Sequence, residues 1–436
     1  MQKMSWNSIV TLIMMAAIIV LLFRGVSSPG VIFSVIPIIA CLIMGFGPTQ
    51  INGFIGDGLK SISGTLFLMV FAVLYFGMLH EAGVFQALIR LVIRFLGNSV
   101  VGTMWATAMI GVLTQLDGSG ATTALCTIPT MRPIYEKQKI RPEALLLVES
   151  LASGVLCLLP WAPGLCEAAA YVGVEVYDVF LWLVPLFIFS IAALFVLCIP
   201  LAMFEKRRGA GMSPEEFEQM KLELHKPLAF PLGKGVAIFD GIVTLVLMAS
   251  LLGGWVKTNF AFGLAYGILL IANFRDIKKQ RDYVKKQAPM ALELAFTMLG
   301  VGVLVGVNQG TGAMGELASW IVANTSSGFL AHLPVILCLF SMPLSITIGG
   351  SKNSVVLPAI IPMVASFGFA PVQVLGAVFA TGVISANLSL FNAAPYLALG
   401  LAGVEMKDHL KYSLLPVYGF SLLMILFLVV TGMLPL

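Results

Sequence analysis

The sequence predicts an all-α polytopic membrane protein made of two inverted repeats, each with five membrane spans and one re-entrant helical hairpin. Of its 436 residues, 59% are hydrophobic and only 11% are charged, whereas a soluble globular protein carries about 25% charged residues. Several uncharged runs approach the ~20 residues that cross the hydrocarbon core of a bilayer. Polar motifs then recur in the same order in both halves of the chain.

Ten full spans account for the apolar runs. The predicted spans cover residues 6–23, 30–46, 62–80, 142–172, 178–203, 236–254, 259–274, 288–307, 371–400 and 409–433. Two of them, 142–172 and 371–400, are too long and too rich in Gly and Pro for one straight helix, so each is expected to contain a break. The first run resembles a signal peptide after Lys3, but no Ala-x-Ala cleavage pattern follows it, and we interpret it as a span.

Two further apolar segments, residues 100–137 and 330–368, are interrupted by polar tips at 117–123 and 349–354. We interpret each as a hairpin that enters and leaves the membrane on the same side. Irregular backbone at membrane depth is tolerated where it is buried in protein or lines a wet cavity. The two tips are therefore expected to lie at a site inside the protein.

The distribution of basic residues assigns the sides of the membrane. With the hairpins counted as non-crossing, nearly all Lys and Arg fall on one side, mainly in the segments 137–141, 204–235 and 275–287. The positive-inside rule places these segments in the cytoplasm and both termini outside, in a multi-pass protein of the cell (inner) membrane. The net charge of +4 comes from short loops between spans and does not indicate nucleic-acid binding.

The halves repeat one pattern. Ser153-Gly154-Val155 and Gly173-Val174-Glu175-x-x-Asp178 after the first tip match Thr381-Gly382-Val383 and Gly403-Val404-Glu405-x-x-Asp408 after the second. An odd number of spans per half gives the halves opposite orientations, as in many transporters. The predicted division is residues 1–204 for the first repeat, 205–235 for a cytoplasmic linker and 236–436 for the second repeat.

The linker contains Ser213-Pro214-Glu215-Glu216. A Ser followed by Pro at the first turn and Glu at the third position is typical of a helix start. A short amphipathic helix that connects the two repeats is expected here.

Polar residues at the first tip are the first candidates for a functional site, because intramembrane ionisable groups usually serve function. Asp117 is a candidate to bind a cation or carry a proton; the structural alternative is that it caps the second arm. The start of that arm offers backbone amides and a helix dipole that attract carboxylates. The substrate-binding candidates at this tip are Ser119, Gly120, Thr122 and Thr123.

Lys352 at the second tip is a candidate to neutralise a substrate carboxylate, to pair with Asp117 or to stand in for a bound sodium ion. The structural alternative is a lysine that reaches to water. Its neighbours complete the candidates at this tip, which are Ser351, Lys352, Asn353 and Ser354.

The breaks in the two long spans supply the remaining candidates. Glu167 follows the break in the first, and Asn387 and Asn392 lie in the break of the second. Unwound backbone and amide side chains can coordinate cations or carboxylates, while hydrogen bonding between helices is the structural alternative. Glu167 shares with Asp117 the expected role of carrying the coupling ion or proton. His80 is expected at a solvated helix end, and the six cysteines as reduced packing thiols.

The run Leu116-Asp117-Gly118-x-Gly120-x-Thr122-Thr123, together with Leu159-Pro160-Trp161-x-Pro163, is similar to the citrate–metal–proton symporter (CitMHS) family of the ion transporter superfamily. The resemblance covers roughly residues 60–435. It implies a homodimer in which a mobile transport domain moves against a scaffold by an elevator mechanism. It also implies di- or tricarboxylate substrates, in some cases carried as complexes with a divalent metal, and co-transport of protons or sodium without a further cofactor.

Two residues depart from the family pattern. Lys352 stands where Asn and acidic residues are expected, and Glu167 stands where a basic residue is expected. A lysine beside Asn353 would suit a proton-coupled carrier that needs no ion at that tip.

The sequence favours one class of function over three others. The leading hypothesis is a secondary organic-anion symporter, and the alternative is a sodium–proton antiporter of related fold, which a fixed positive charge at Lys352 disfavours. An enzyme or an ATP-driven pump is disfavoured because the sequence has no phosphate-binding loop and no recognisable catalytic motif.

Overall fold

A computed structural model describes residues 4–24, 26–94, 99–213, 215–216, 230–252, 255–313, 316, 320, 332–348, 357–365, 368–389 and 393–434. Within these residues all regular structure is helical. The α-helices are α1 (Trp6–Phe23), α2 (Pro29–Met44), α3 (Pro48–Ala82), α4 (Val84–Arg94), α5 (Val100–Thr114), α6 (Gly120–Lys137), α7 (Pro142–Leu156), α8 (Pro163–Val172), α9 (Val176–Arg207), α10 (Lys234–Leu252), α11 (Thr258–Asn273), α12 (Ile277–Thr311), α13 (Leu333–Ile348), α14 (Leu357–Ala365), α15 (Pro371–Val383), α16 (Ala393–Ala402) and α17 (Met406–Val430). Single 3₁₀ turns occupy Gln115–Asp117 and Ala386–Leu388.

Several of these helices can cross a bilayer. In the described part of the chain, five combine sufficient length with an apolar composition: α3, α9, α10, α17 and the segment Ala291–Thr311 of α12. Both predicted breaks are present, since α7 ends at Leu156 before α8 begins at Pro163, and α15 ends at Val383 before α16 begins at Ala393. The polytopic helical prediction is confirmed.

Two helices are much longer than predicted. α3 and α12 each contain 35 residues. The segment 275–287 was expected to be a loop, which is wrong because α12 begins at Ile277, and its location in the cytoplasm stays a prediction. The Asp276 side chain caps this helix by accepting a hydrogen bond from the Lys278 amide, 2.9 Å away. Hydrophobic runs mark only the part of a helix that contacts apolar surroundings. The polar first turns of α12 were therefore not predicted to be helical.

The helices pack as two groups. The frame group contains α1–α3 and α10–α12, and the hairpin group contains α5–α9 and α13–α17. α4 packs against α3, α5 and α10 and so connects the groups. Contact between the groups runs chiefly through α8, which packs on both α3 and α12.

Glycines allow the helices of the frame group to approach each other closely. Gly58 of α3 lies directly against Gly302 and Gly306 of α12, where an added Cβ would collide with the opposing backbone. Gly30 of α2 touches α12 in the same way, since a Cβ on Gly300 would lie 2.5 Å from the Gly30 carbonyl oxygen. Small residues at such crossings let membrane helices pack by van der Waals contact between backbones.

α5 and α6 form an antiparallel helical hairpin. The Thr107 hydroxyl lies 3.0 Å from the Tyr135 hydroxyl, and nearer the tip Thr114 Oγ1 lies 3.4 Å from Thr127 Oγ1. The 15 residues of α5 extend about 22 Å at 1.5 Å per residue, less than the ~30 Å hydrocarbon core. These dimensions agree with the predicted hairpin, and its re-entrant path through a membrane stays a prediction.

Polar contacts fix the ends of the hairpin group. The Arg141 guanidinium pairs with the buried Glu205 carboxylate at 2.5 Å and lies 4.4 Å from the centre of the Tyr412 ring. The Tyr412 hydroxyl also hydrogen-bonds Glu205, at 3.0 Å. The starts of α7 and α17 and the end of α9 are thereby held together.

The start of the predicted linker helix has the expected geometry. The Ser213 amide donates to Glu216 Oε2 at 2.9 Å, and the Glu216 amide donates to Ser213 Oγ at 3.2 Å. These are the two reciprocal bonds of a capping box. The bond from the Ser213 amide lowers the pKa of Glu216. Pro214 and residues 217–229 of the linker lie outside the described residues, and the amphipathic helix expected there stays a prediction.

The close contact between Gly58 and Gly306 predicts that even an alanine in place of Gly306 destabilises the protein. Gly306→Ala should destabilise the protein by about 1–3 kcal/mol, because the added methyl group overpacks the crossing of α3 and α12. A thermal melt of the purified protein in detergent measures the change. Gly241→Ala on α10 is the matched control, since nothing lies within 4 Å of a Cβ there. Equal melting temperatures for the two variants would show that the crossing has room for a side chain.

Candidate functional site

The first hairpin tip is a short turn between two helices. The 3₁₀ turn ends at Asp117, and Gly118 takes a left-handed conformation with φ of 73°, which glycine adopts without steric strain. Ser119 then caps α6, because its hydroxyl accepts a hydrogen bond from the Thr122 amide at 3.3 Å. Asp117 Oδ1 accepts from the Ser119 amide at 2.8 Å. The cap of the second arm is thus Ser119, and Asp117 stabilises the turn before it.

The tip is held against the break between α7 and α8 by three contacts. The Trp161 indole N–H donates to the Leu116 carbonyl oxygen at 2.8 Å. Buried Gln115 accepts hydrogen bonds at Oε1 from Thr123 at 2.6 Å and from Ser153 of α7 at 2.9 Å. A Cβ on Gly118 would lie only 2.6 Å from Pro163 Cδ. The hairpin tip and the break therefore form one interlocked unit.

A cavity of about 830 Å³ lies beside this unit, where the hairpin group meets the frame group. Its lining is shared between the groups. The hairpin group contributes Asp117, Gly118, Ser119, Thr122, Leu125, Cys126, Thr130 and Pro163, the frame group contributes Val73, Phe76, Gly77, His80, Gln287, Glu293 and Thr297, and α4 contributes Gln86 and Ile89. A volume of this size accommodates a small organic molecule.

The cavity wall carries acidic groups from both sides. Asp117 lies on the hairpin group and Glu293 on the frame group. Among the described lining residues no Lys or Arg is present, and His80 is the one side chain that can take a positive charge. No cluster of three or more metal-ligating side chains occurs within the described residues. The described wall thus combines hydrogen-bonding groups with carboxylates.

The break in the second long span contains Asn387, in the turn Ala386–Leu388. Its amide Nδ2 donates to Glu149 Oε2 of α7 at 3.3 Å. Gly154, one turn further along α7, packs against this break, with an added Cβ only 2.8 Å from the Ile384 Cα. The break in the second half of the chain is therefore in direct contact with the broken helix of the first half.

Apart from Asn387, which contacts Glu149, the predicted site residues divide into three sets. Asp117, Ser119 and Thr122 line the cavity. Thr123 is fully buried with its hydroxyl bound to Gln115, Gly120 begins α6, and half-buried Glu167 lies on α8 without a hydrogen bond to any described residue. Five candidates lie outside the described residues and stay predictions: Ser351, Lys352, Asn353, Ser354 and Asn392.

Sequence reasoning missed several polar residues near this site. Glu293 and Gln287 line the cavity, Gln115 anchors the tip, and Glu149 meets Asn387. His80 is exposed in the last turn of α3, as expected for a solvated helix end, and it also lines the cavity. Glu149 and Glu293 were detectable, because each is a carboxylate within an apolar run, where an ionisable group indicates function.

Residues 3–345 match the CitMHS family, described as citrate transporter. A citrate transporter of Bacillus subtilis strain 168 is 26% identical over 418 residues, which are 96% of this chain and 97% of that protein. A second protein of the same strain, named Mg²⁺/citrate complex secondary transporter, is 25% identical over 391 residues, 87% of each chain. The structure of Neisseria gonorrhoeae MtrF, one of a class of antimetabolite efflux pumps, resembles 86% of this chain and 82% of its own with a TM-score of 0.58 at 15% identity. That likeness shows a shared fold.

The cavity predicts a difference in reactivity between cysteines. Cys126 lines the cavity and is half-buried, whereas Cys198 is 1% exposed. In variants that keep one of these thiols and have Ser at the other five cysteines, a small polar thiol reagent should label Cys126 faster. Mass spectrometry of the folded protein measures both rates. Faster labelling of Cys198 would contradict the placement of the cavity.

Proposed function

Since the chain belongs to the CitMHS family of citrate transporters, we propose that it is a secondary active transporter of di- and tricarboxylates, with citrate as the first candidate substrate. The chain is a multi-pass membrane protein of a transporter family and not an enzyme. The observation that carries the proposal is the cavity between the two helix groups, into which a polar hairpin tip projects.

The first tip has the chemistry to bind a carboxylate. The start of α6 points backbone N–H groups and the positive end of its dipole toward the turn. The Ser119 and Thr122 side chains line the cavity beside it. In the proposed site these groups bind one carboxylate, and Ser351, Lys352, Asn353, Ser354, Asn387 and Asn392 contribute from the second half of the chain.

The charge of the cavity favours a metal–citrate complex over the free trianion. Asp117 and Glu293 line the described wall, with no Lys or Arg among its described residues. A free tricarboxylate would be repelled by such a wall, whereas a bound divalent cation cancels two of its negative charges and is attracted to carboxylates. The relative that is named for a Mg²⁺/citrate complex supports the same substrate class.

The division into helix groups supports movement of one group against the other. In the proposed elevator mechanism the hairpin group carries the substrate past the frame group, and α8 slides along α3 and α12. The matching order of helices before and after the linker supports two inverted repeats, of residues 1–204 and 236–436. A homodimer with both termini outside and the linker 205–235 in the cytoplasm completes the proposal.

The coupling ion is a proton or sodium, and Asp117 and Glu167 are the first candidates to carry it. Asp117 is adjacent to the substrate cavity, and Glu167 lies on α8 at the boundary between the groups. Either carboxyl group can exchange a proton or coordinate sodium as the cavity opens to one side.

Uptake by the purified protein in liposomes tests the proposed function. We expect accumulation of labelled citrate driven by an inward proton or sodium gradient, and greater uptake with Mg²⁺ than with a chelator such as EDTA. Uptake that is equal with and without the chelator would restrict the substrate to free carboxylates. Sodium-dependent proton flux without uptake of any carboxylate would replace the proposal by a sodium–proton antiporter.

Two substitutions test the hairpin tips. Asp117→Asn and Lys352→Ala should each abolish uptake without preventing membrane insertion, because each removes a charge from the proposed site. Asp57→Asn and Lys60→Ala are matched controls on the exposed surface of α3. Wild-type uptake by both tip variants would show that the tips do not form the site.

A further inference from the structure

Glu149 is a fully buried carboxyl group outside the proposed substrate cavity. It lies in α7 with an exposed fraction of 0% and follows the apolar run Leu145–Val148. An ionised carboxylate without a compensating cation is strongly unfavourable in such surroundings. Glu149 must therefore bind a proton or another cation during at least part of any conformational cycle.

The hydrogen bonding of Glu149 is incomplete. Asn387 donates to Oε2, whereas Oε1 is buried and has no hydrogen-bond partner among the described residues. No salt bridge joins Glu149 to a described Lys or Arg. One oxygen of the carboxyl group is thus held in place and the other is available to a proton.

Asn387 joins Glu149 to a second buried ionisable group. The His409 ring of α17 hydrogen-bonds the Asn387 backbone, and its Nδ1 atom lies 3.1 Å from the Ser413 hydroxyl. His409 is 1% exposed. The break in the second half of the chain is therefore held between a buried carboxyl group and a buried imidazole.

Other ionisable groups on the elements packed against α7 lie mainly near helix ends or are already paired. They are Asp117 in the turn Gln115–Asp117, Cys126, Arg132, Tyr135, Glu136 and Lys137 on α6, Tyr177, Asp178, Cys198, Glu205, Lys206 and Arg207 on α9, Tyr396 on α16, and Lys407, Asp408, His409, Lys411, Tyr412 and Tyr418 on α17. Arg132 pairs with Glu136, and Glu205 with Arg141. α5, α15 and the turn Ala386–Leu388 have none.

A short path connects Glu149 to the substrate cavity. Ser153 follows Glu149 by four residues, so both side chains project from the same face of α7. The Ser153 hydroxyl donates to Gln115, the residue that anchors the tip carrying Asp117. A change in the charge of Glu149 therefore acts directly on Asn387 in the second break. Through the same face of α7 it also acts on Ser153, which contacts the first tip.

We propose that a third carboxyl group, Glu149 held by Asn387, carries the coupling proton of the transport cycle in preference to Asp117 and Glu167. The proton adds to Oε1 to give the neutral acid and leaves from the same oxygen, with no other bond formed or broken. Asn387 bonds the ionised carboxylate more strongly than the neutral acid. Protonation of Glu149 therefore weakens the hydrogen bond that joins α7 to the second break. By linkage, a proton that raises substrate affinity is itself bound more tightly when substrate is present. This inference rests on the proposed carboxylate transport.

Glu149→Gln tests this assignment, because the amide has the shape of the neutral acid but cannot release a proton. In liposomes, proton-driven accumulation of citrate with Mg²⁺ should be lost, because no proton would move with the substrate at this position. Exchange of internal for external citrate without a gradient should persist, and its rate should lose its dependence on pH. Glu143→Gln, the same change on the same helix at a half-buried position, should behave as wild type.

Glu149→Asp keeps a titratable group and should retain proton-driven uptake with a shifted pH profile, which separates proton carrying from a merely structural role. Wild-type accumulation by Glu149→Gln would overturn the assignment, as would loss of exchange along with net uptake in both variants. Citrate uptake by the wild-type protein that does not depend on the proton gradient would overturn the assignment of Glu149, although the proposed carboxylate transport would still hold. Failure of the wild-type protein to take up any carboxylate would instead remove the proposed function.

Discussion

The docking of the first hairpin tip against the break between α7 and α8 is the contact on which the candidate site depends. The tip exposes backbone groups that need partners in an apolar interior, and the Trp161 indole supplies one by donating to the Leu116 carbonyl oxygen. The Gln115 side chain adds a bond between the tip and α7, because it accepts from the Ser153 hydroxyl. Gly118 lets the two chain segments touch, because a side chain there would meet Pro163. The position of Asp117 on the cavity wall is thus determined by the neighbouring broken helix as much as by its own turn.

The same contact links the two halves of the chain. α7 carries Ser153 toward the first tip and Glu149 toward the second break, so one helix face contacts both irregular segments. In an apolar surrounding each of these bonds is worth more to the protein than in water, since no solvent replaces a lost partner. The frame group contains no comparable break in its described residues, and its helices pack through glycines instead. The irregular backbone is accordingly concentrated in the group that surrounds the candidate site.

Sequence reasoning located the features that depend on local chemistry. Pro and Gly placed both breaks and the first tip, and Ser213 with Glu216 placed the capping box. It failed for the length of α12, because the polar turns after Ile277 have no hydrophobic signal. It also failed for Glu293, whose position on the cavity wall is determined by how the helix groups pack. Thr123 was predicted to contact the substrate, but its hydroxyl donates a hydrogen bond to Gln115. Its neighbour Thr122 lines the cavity.

The contact between the backbones of α3 and α12 has a consequence for the lipid environment. Both helices contribute to the cavity wall, through His80 on one and Glu293 on the other. A bilayer that is thinner than the protein's apolar surface tilts its helices, but two helices that touch without intervening side chains must tilt together. The distance between His80 and Glu293 therefore does not depend on membrane thickness. This face of the cavity keeps its dimensions in bilayers of different composition.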